Sequence, residues 1–225
     1  REEMLAQIAH EIRNPLGGIE LLAGLIREDS NSKYAERILS EVATLKGLIT
    51  AYLDFSRPVK ADPTVIDIAV LLEEALQISS RSAAEKSIQF DVNLQEKTVC
   101  FDPNHLRQVF LNLLVNAIEA SPVGGVIRIS SSSKDKEMTI RFSDHGEGLE
   151  GIETEQLFAP FYTTRAEGTC LGLAVCRKLC TENNAHISAR HLPNAGAEFI
   201  ITAKVDDLGS GSTVKQKSVT VNDYE

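Results

Sequence analysis

The sequence of 225 residues contains no tryptophan, and aromatic residues make up only 5% of it. A folded core must therefore rest mainly on Leu, Ile, Val and Ala. No apolar run approaches the ~20 residues that a membrane-spanning helix needs, and the first residues do not have the pattern of a signal peptide. We expect no direct membrane contact from this portion, although its parent protein could be tethered to a membrane.

Positive charge is also scarce. The chain has 23 Lys and Arg against 32 Asp and Glu, a net charge of −9, which argues against nucleic acid as a partner. The cysteines form neither a CxxC pair nor a zinc-binding spacing; they are Cys100, Cys170, Cys176 and Cys180. Reduced thiols and a cytoplasmic location are therefore expected.

The first sixty residues have the apolar spacing of two helices joined by a polar turn at 27–33. Apolar side chains recur every three or four residues between Leu5 and Ile26, and again between Ala35 and Tyr52. Two such helices cannot bury both apolar stripes alone, whereas two hairpins from two chains can form a four-helix bundle. We therefore predict a helical hairpin over residues 1–60 and a homodimer.

Residues 63–205 have the pattern of a second domain, separated from the hairpin by a short linker at 59–63. The sequence predicts helices at 69–84, 103–120 and 171–182, and strands at 65–68, 88–94, 98–101, 126–132, 137–143, 187–190 and 198–205. The strands at 88–94 and 98–101 are expected to pair with each other. This order favours an α+β layer with helices on one face of a mixed sheet. Residues 206–225 are predicted to be a tail or linker.

His10 and its neighbours are candidates for nucleophilic chemistry. His10 lies roughly 200° around the first predicted helix from Ile8, so it should point away from the buried face. Glu11 could accept the proton of one ring nitrogen and leave the lone pair of the other nitrogen free. Asn14 is one turn further on the same face as His10. Taken alone, such a histidine is more often only a solvated surface residue.

Asn112 and Asn116 lie four residues apart on the apolar helix predicted for 103–120. Two neutral amide oxygens at that spacing can approach a magnesium ion or its water shell without adding charge, which suits a metal already neutralised by phosphates. The same spacing is equally compatible with helix caps or with hydrogen-bonding partners in the core.

Two glycine-containing segments could contact a flat, phosphorylated ligand. In the segment from Asp144 to Gly148, the aspartate follows a strand and could accept a hydrogen bond from an exocyclic amine such as that of adenine. Gly146 and Gly148 would allow close approach of the backbone. The segment from Gly168 to Gly172 precedes a helix, whose N-terminal amides suit phosphate. The stretch between them, 158–165, could be a lid or only a packed loop.

The order of these segments resembles that of the sensor histidine kinases. His10-Glu-Ile-Arg-Asn-Pro-Leu16 is similar to their phosphoacceptor box and Asn112-Leu-Leu-Val-Asn-Ala117 to their N box. Asp144-His-Gly-Glu-Gly148 is similar to their first glycine box, 157–165 to their F box and 168–173 to their second glycine box. The resemblance covers residues 1 to about 205 in the order and spacing of the family.

The resemblance implies two domains and a cofactor set. Residues 1–60 would be the dimerisation and phosphotransfer hairpin. Residues 63–205 would be an ATP-binding α+β sandwich of the type shared with Hsp90-type chaperones, gyrases and mismatch-repair ATPases. The cofactors would be ATP and Mg²⁺, and the partner would be the receiver domain of a response regulator, which supplies an aspartate.

The resemblance also implies a role for each matching residue. His10 would be the phosphoacceptor and Glu11 its acid–base partner, while Asn14 occupies the place of the residue that positions water when such proteins dephosphorylate their partner. Asn116, with Asn112 nearby, would hold magnesium. The remaining nucleotide contacts would be Asp144 on the adenine amino group, Gly146 and Gly148 around the base, Thr163 and Arg165 in the lid region, and Gly168, Leu171, Gly172 and Leu173 beside the phosphates.

The chain departs from the family pattern at three places. Cys170 stands where the family usually has glycine, and its side chain could crowd the phosphate loop. Asn183-Asn-Ala185 replaces a glycine-rich turn, with little expected consequence. The sequence opens only nine residues before His10, so we expect the catalytic core of a longer protein.

Two other functions stay open beside an autophosphorylating kinase. Cys170 would suit a degenerate nucleotide-binding dimeric scaffold, and His10 with Asn14 would suit a phosphatase-dominant protein with weak kinase activity. An Hsp90- or gyrase-like ATPase is rejected, because it has no need of an exposed His-Glu pair and would use a glutamate where Asn112 stands. The phosphoacceptor box is similar to that of the nitrogen-regulation branch, which does not identify the regulator.

Overall fold

The computed structural model describes residues 60–160, 162, 171–192 and 196–205, together with part of the region between 12 and 45. Every described residue of that N-terminal region is α-helical; these are 12, 15–19, 21, 22, 25, 26, 34, 36–40, 42 and 45. The prediction of a helical region ahead of the mixed domain is thereby confirmed. The predicted turn at 27–33 and the predicted tail at 206–225 lie outside the described residues. Among the described helices, none combines the length and hydropathy needed to span a bilayer.

The mixed domain contains seven strands, three α-helices and a short 3₁₀ helix among the described residues. In chain order they are β1 (Thr64–Asp67), α1 (Ile68–Glu85), β2 (Gln89–Leu94), β3 (Thr98–Phe101), α2 (Pro103–Ala120), β4 (Val126–Lys134), β5 (Glu137–Ser143), the 3₁₀ helix (Gln156–Phe158), α3 (Gly172–Glu182), β6 (His186–Leu192) and β7 (Gly196–Lys204). These bounds lie within a few residues of the predicted ones.

The strands form a five-stranded sheet in the order β2-β4-β5-β7-β6 and a separate two-stranded sheet of β1 and β3. β2 and β4 are parallel, while every other pair is antiparallel. The predicted pairing of 88–94 with 98–101 is therefore wrong. Residues 95–97 have the length of a hairpin loop, but the Gln95 N–H donates to the Ser131 carbonyl and so follows β4. A parallel pair needs a long crossover, which β3 and α2 supply.

Both α1 and α2 begin at an aspartate that caps the helix. The side chain of Asp67 accepts a hydrogen bond from the Ala69 N–H at 2.8 Å, and that of Asp102 accepts from the Asn104 N–H at 2.9 Å. A side-chain acceptor at this position satisfies an amide that has no partner within the helix. The first strand therefore ends at Asp67, one residue earlier than predicted, and Ile68 is already helical.

The core lies between the helices and one face of the large sheet. Its largest fully buried side chains come from both layers and include Phe110 on α2 and Phe142 on β5, whose ring centroids lie 5.4 Å apart. Alternate residues of β4 and β5 point into this layer, as the strand periodicity requires. The α+β architecture expected from the sequence is confirmed, and α2 is its central helix, with α1 and α3 packed against it.

Asn183 joins the end of α3 to the start of α2. Its side-chain oxygen accepts a hydrogen bond from the Asp102 N–H at 2.7 Å, and its side-chain nitrogen donates to the Leu179 carbonyl at 2.8 Å. Asn184 adopts a φ of 53°, the left-handed conformation that glycine favours. The asparagines at this turn thus have more consequence than the sequence suggested, because Asn183 supplies hydrogen bonds that a glycine could not.

Candidate functional site

The structure describes eight of the predicted site residues. Six of them fall into two groups at two points along α2, Asn116 lies between these points, and Leu173 is the second residue of α3. The eight are Asn112, Asn116, Asp144, Gly146, Gly148, Leu171, Gly172 and Leu173. The other predicted site residues lie outside the described residues; they are His10, Glu11, Asn14, Thr163, Arg165 and Gly168, and Cys170 lies outside them as well.

The first group joins α2 to the start of α3, and we call Asn112, Leu171 and Gly172 the Asn112 end. The Asn112 side-chain nitrogen donates to the Gly172 carbonyl at 3.1 Å. Leu171 occupies the N-cap of α3, and its apolar side chain makes no hydrogen bond to the first amides of this helix. Leu171 is fully buried, so it supports the start of α3 from inside the domain.

The second group surrounds Asp144, at the end of β5, and we call Asp144, Gly146 and Gly148 the Asp144 end. Asp144 is only 2% exposed. One carboxylate oxygen accepts hydrogen bonds from the Gly146 N–H at 2.9 Å and from the Ala197 N–H at 3.2 Å. The Asp144 N–H in turn donates to the Ala197 carbonyl at 2.9 Å. The carboxyl group is therefore fixed between its own loop and β7.

Glycine is required at the Asp144 end because other backbone segments lie against it. A Cβ on Gly146 would lie 2.5 Å from the Ala120 carbonyl oxygen, at the end of α2. A Cβ on Gly196 would lie 2.4 Å from the Asp144 carbonyl oxygen, and Gly196 also has a φ of +89°. Sequence reasoning missed Gly196, because its proximity to Asp144 depends on the pairing of β5 with β7.

His191 is a second residue that the sequence did not single out. Gly148 has a φ of +77°, and a Cβ there would lie 2.5 Å from the His191 Nδ1. That same nitrogen accepts a hydrogen bond from the Leu149 N–H at 3.0 Å. The sequence offered no signal for this contact, since β6 follows the loop by about forty residues and its register was unknown.

Helix α2 connects the two ends. Asn112 and Ala120 are eight residues apart, which corresponds to about 12 Å along a helix. Asn116 lies midway and is half-buried, and its side-chain amide has no hydrogen-bond partner among the described residues. One helix therefore carries two asparagine amides, Asn112 at the start of α3 and Asn116 between that point and the buried Asp144 carboxylate.

The side-chain oxygens of Asn112 and Asn116 fit a metal ion whose other ligands are phosphates and water. Within the described part of the chain, no three His, Cys, Asp or Glu side chains cluster as a metal site. Asn112 and Asn116 offer neutral oxygens, which suit Mg²⁺ when phosphates and water complete its octahedral shell. Cys176 is no competitor for such an ion, because burial raises the pKa of its thiol to about 12, even though a hydrogen bond with the Asn112 side chain opposes the shift.

Two family models match the chain. Residues 1–59 match the His Kinase A (phospho-acceptor) domain, and residues 101–207 match the histidine kinase-, DNA gyrase B- and HSP90-like ATPase. The expectation drawn from the order of the sequence boxes is thereby confirmed, while the nitrogen-regulation detail stays a prediction.

Curated relatives include histidine kinases and sporulation kinases from bacteria. The signal transduction histidine-protein kinase AtoS of Escherichia coli is 30% identical over 215 residues, which cover 92% of this chain and 35% of AtoS. Sporulation kinase E of Bacillus subtilis is 32% identical over 210 residues, covering 90% of this chain and 28% of that protein. The chain thus spans half or less of the length of the first curated relatives that it matches.

Solved structures show the same likeness. The crystal structure of the histidine kinase ThkA in complex with the response regulator protein TrrA superposes with a TM-score of 0.76 at 26% identity, covering 91% of this chain and 61% of that one. The phosphoacceptor domain precedes the ATPase domain along the chain, and the superposition with ThkA covers most of both. The chain therefore belongs to the two-component sensor histidine kinases and carries both modules of their catalytic core.

Proposed function

We propose that this chain uses Mg²⁺ and ATP to phosphorylate His10 and then transfers the phosphoryl group to an aspartate of a response regulator. The observation that carries the proposal is the arrangement along α2, with the Asp144 end suited to a base and the Asn112 end suited to phosphates. The similarity to ThkA, solved in complex with the response regulator protein TrrA, supports the choice of partner.

The Asp144 carboxylate would recognise the exocyclic amine of adenine. An ionised carboxylate only accepts hydrogen bonds, and two backbone N–H groups already hold this one in place. Guanine presents a carbonyl oxygen where adenine has its amine, so the carboxylate would repel it. The Asp144 end therefore favours ATP over GTP.

The Asn112 end would hold the triphosphate. The first turn of α3 presents backbone amides, and the N-terminus of a helix favours an anion. Asn112 and Asn116 would hold Mg²⁺, which when bound would neutralise charge on the phosphates. Asn112 also fixes the Gly172 carbonyl, so it would keep the start of α3 beside the helix that holds the metal.

The phosphoryl step assigns distinct tasks to His10 and Glu11. A ring nitrogen of His10 forms a bond to the γ-phosphorus while the bond from that phosphorus to the bridging oxygen breaks, and ADP leaves with the electron pair. Glu11 accepts the proton of the other ring nitrogen, so the imidazole does not keep a positive charge. Positioning and electrostatics supply most of the catalysis, because this transition state needs little covalent help. The N–P bond then breaks as the regulator aspartate takes the phosphoryl group.

A second copy of the chain would cover apolar residues of the N-terminal helical region. Leu21 and Leu39, one on each of the two predicted helices, are 67% and 68% exposed in the single chain. Burial of these side chains in a four-helix bundle would stabilise a homodimer through the hydrophobic effect. The domain bounds of 1–60 and 63–205 and a cytoplasmic location belong to the same proposal.

Labelling with γ-labelled ATP and magnesium tests this function. The parent chain should acquire an acid-labile, alkali-stable label, and the His10→Gln variant should acquire none. His186→Gln serves as a matched control, because His186 is an exposed histidine on β6 and should not affect labelling.

Failure to label would separate the alternatives. A parent chain that binds ATP without being labelled would favour the phosphatase-dominant protein acting through Asn14. A parent chain that neither binds ATP nor becomes labelled would favour the scaffold, with Cys170 as the first residue to replace by glycine.

A further inference from the structure

His191 lies behind the Asp144 end and contacts two consecutive residues of its loop. The ring is so close to Gly148 that a Cβ there would lie 2.5 Å from Nδ1 and 2.7 Å from Cε1. The next residue, Leu149, donates its backbone N–H to the same Nδ1 at 3.0 Å. The imidazole thus fixes the loop both by packing and by accepting a hydrogen bond.

The position of His191 follows from the pairing of β6 with β7. His191 lies opposite Ala197 in the register of these strands. Ala197 exchanges hydrogen bonds with Asp144, through its N–H to the carboxylate and through its carbonyl to the Asp144 N–H. The same pair of strands therefore holds the loop at its first residue through Ala197 and at its far end through His191.

The hydrogen bond requires one form of the ring. A neutral imidazole accepts at Nδ1 only when its proton is on Nε2, so His191 acts here as an acceptor. Without that acceptor, the partly buried Leu149 amide would lose its partner and the loop would lose the contact that holds Gly148 at a φ of +77°. Apolar packing alone could not replace it.

We infer that His191 is a positioning residue for nucleotide binding, which holds the backbone of Gly148 and Leu149 in the conformation that receives adenine. The inference rests on the proposed function, in which the Asp144 end takes the base. His191 itself need not contact the nucleotide. Its loss should weaken ATP binding and leave the rate of phosphorylation at saturating ATP unchanged, because the triphosphate is proposed to bind at the Asn112 end.

Three variants of the whole chain test this inference. His191→Leu removes the acceptor and keeps side-chain bulk, whereas His191→Asn retains an oxygen that can accept from the Leu149 N–H. His186→Leu is the control, since His186 is an exposed residue at the opposite end of the same strand. Titration calorimetry with ATP and magnesium gives the affinity, and amide exchange measured by NMR reports the protection of the Leu149 N–H.

The expected result is a loss of ATP affinity of about 5- to 20-fold in His191→Leu, the size expected for one lost hydrogen bond. His191→Asn should recover affinity to within about 3-fold of the parent, and His186→Leu should match the parent. The Leu149 amide should exchange faster in His191→Leu than in His191→Asn.

Three results would overturn the inference. The first is equal ATP affinity in the parent and in His191→Leu; this result would leave the proposed function intact. The second is a His191→Asn variant as weak as His191→Leu, which would make the hydrogen bond irrelevant. The third is a Leu149 amide that exchanges freely in the folded parent, a result that needs no variant to fold. A parent chain that binds no ATP would instead overturn the proposed function and, with it, this role.

Discussion

At the Asp144 end of the site, backbone atoms of separate segments lie so close together that no side chain fits between them. At the Asn112 end, two helices are joined through one side-chain amide. The first arrangement involves Gly146 against Ala120 and Gly196 against Asp144, with Cβ positions 2.5 and 2.4 Å from carbonyl oxygens. The second involves a 3.1 Å hydrogen bond from Asn112 to Gly172.

This difference matches the two parts of the proposed ligand. A base is flat and rigid, so it can be recognised by a surface whose shape is fixed by close packing. A metal-bound triphosphate changes charge and geometry as it reacts, so neutral amides and helix N-terminal N–H groups can hold it without a close-packed wall. The two ends should therefore respond differently to the same kind of substitution.

The largest expected effect is on the free energy of unfolding when a methyl group is added at each end. Gly146→Ala should destabilise the chain by about 3 kcal/mol, because the Ala120 carbonyl oxygen has to move. Gly172→Ala should change stability by less than about 0.5 kcal/mol, since its Cβ would lie 3.8 Å from Asn112 Cγ, an ordinary contact. Denaturant unfolding of both variants measures this, and equal losses would contradict the comparison.

A smaller effect is expected when the charge is removed at the Asp144 end. Asp144→Asn keeps an oxygen for the two backbone N–H groups, so the fold should persist, but ATP affinity should fall about 10- to 100-fold because the carboxylate acceptor for adenine is lost. Calorimetric titration with ATP gives the affinity. Glu147→Gln, an exposed neighbour, is the control, and unchanged binding in Asp144→Asn would place adenine elsewhere.

The two asparagines of α2 should separate a structural role from a metal role. Asn112→Ala should lower the free energy of unfolding by about 1 kcal/mol, because it removes the hydrogen bond to Gly172. Asn116→Ala should leave stability unchanged, since its amide makes no hydrogen bond among the described residues. Both should reduce magnesium-dependent labelling. Full labelling of Asn116→Ala would exclude it as a metal ligand.

Asp102, which caps the start of α2, should make the free energy of unfolding depend on pH. Burial opposes ionisation of Asp102, but hydrogen bonds from Asp62, His105 and Asn104 and the charge of His105 outweigh it, so the pKa of the carboxyl is lowered. Because the pKa of Asp102 is lower in the folded state, its ionised form stabilises the fold. This stabilisation is complete above the pKa of the unfolded state, about 3.9, and is lost as the pH falls through the pKa of the folded state.

Asp102→Asn tests this, because asparagine still caps a helix well. The stability difference between the parent and this variant should shrink as the pH falls below about 4, measured by denaturant unfolding at several pH values. A difference that does not change between pH 7 and pH 3 would contradict the lowered pKa.

The smallest expected effect is on thiol reactivity near the Asn112 end. Burial raises the pKa of Cys176 to about 12 and also raises that of Cys180, and Cys100 is buried as well. In a Cys170→Ser background, none of the three thiols should react with a disulfide reagent at pH 8 in the native state, and all three should react after denaturation. Rapid native reaction would show that this packing opens readily.

The helices and strands were predicted well from the sequence, because each has a regular spacing of apolar residues or a clear capping residue. Asn112, Asn116 and Asp144 were predicted as site residues from local motifs; the structure shows Asn112 in contact with Gly172 and Asp144 with Gly146, while their roles stay predictions. The parallel pairing of β2 with β4 could not be predicted, since a three-residue connection also suits a hairpin. The contacts of Gly196, His191 and Asn183 were missed for a related reason, because they join segments distant in sequence whose register only the folded sheet defines.

The central claim is the direction in which a nucleotide lies along α2. A crystal structure of this chain with magnesium and a non-hydrolysable ATP analogue tests it directly. We expect the adenine exocyclic amine within about 3 Å of an Asp144 carboxylate oxygen, with the terminal phosphates beside Asn112, Asn116 and the start of α3. A base bound at the Asn112 end, or phosphates beside Asp144, would contradict it.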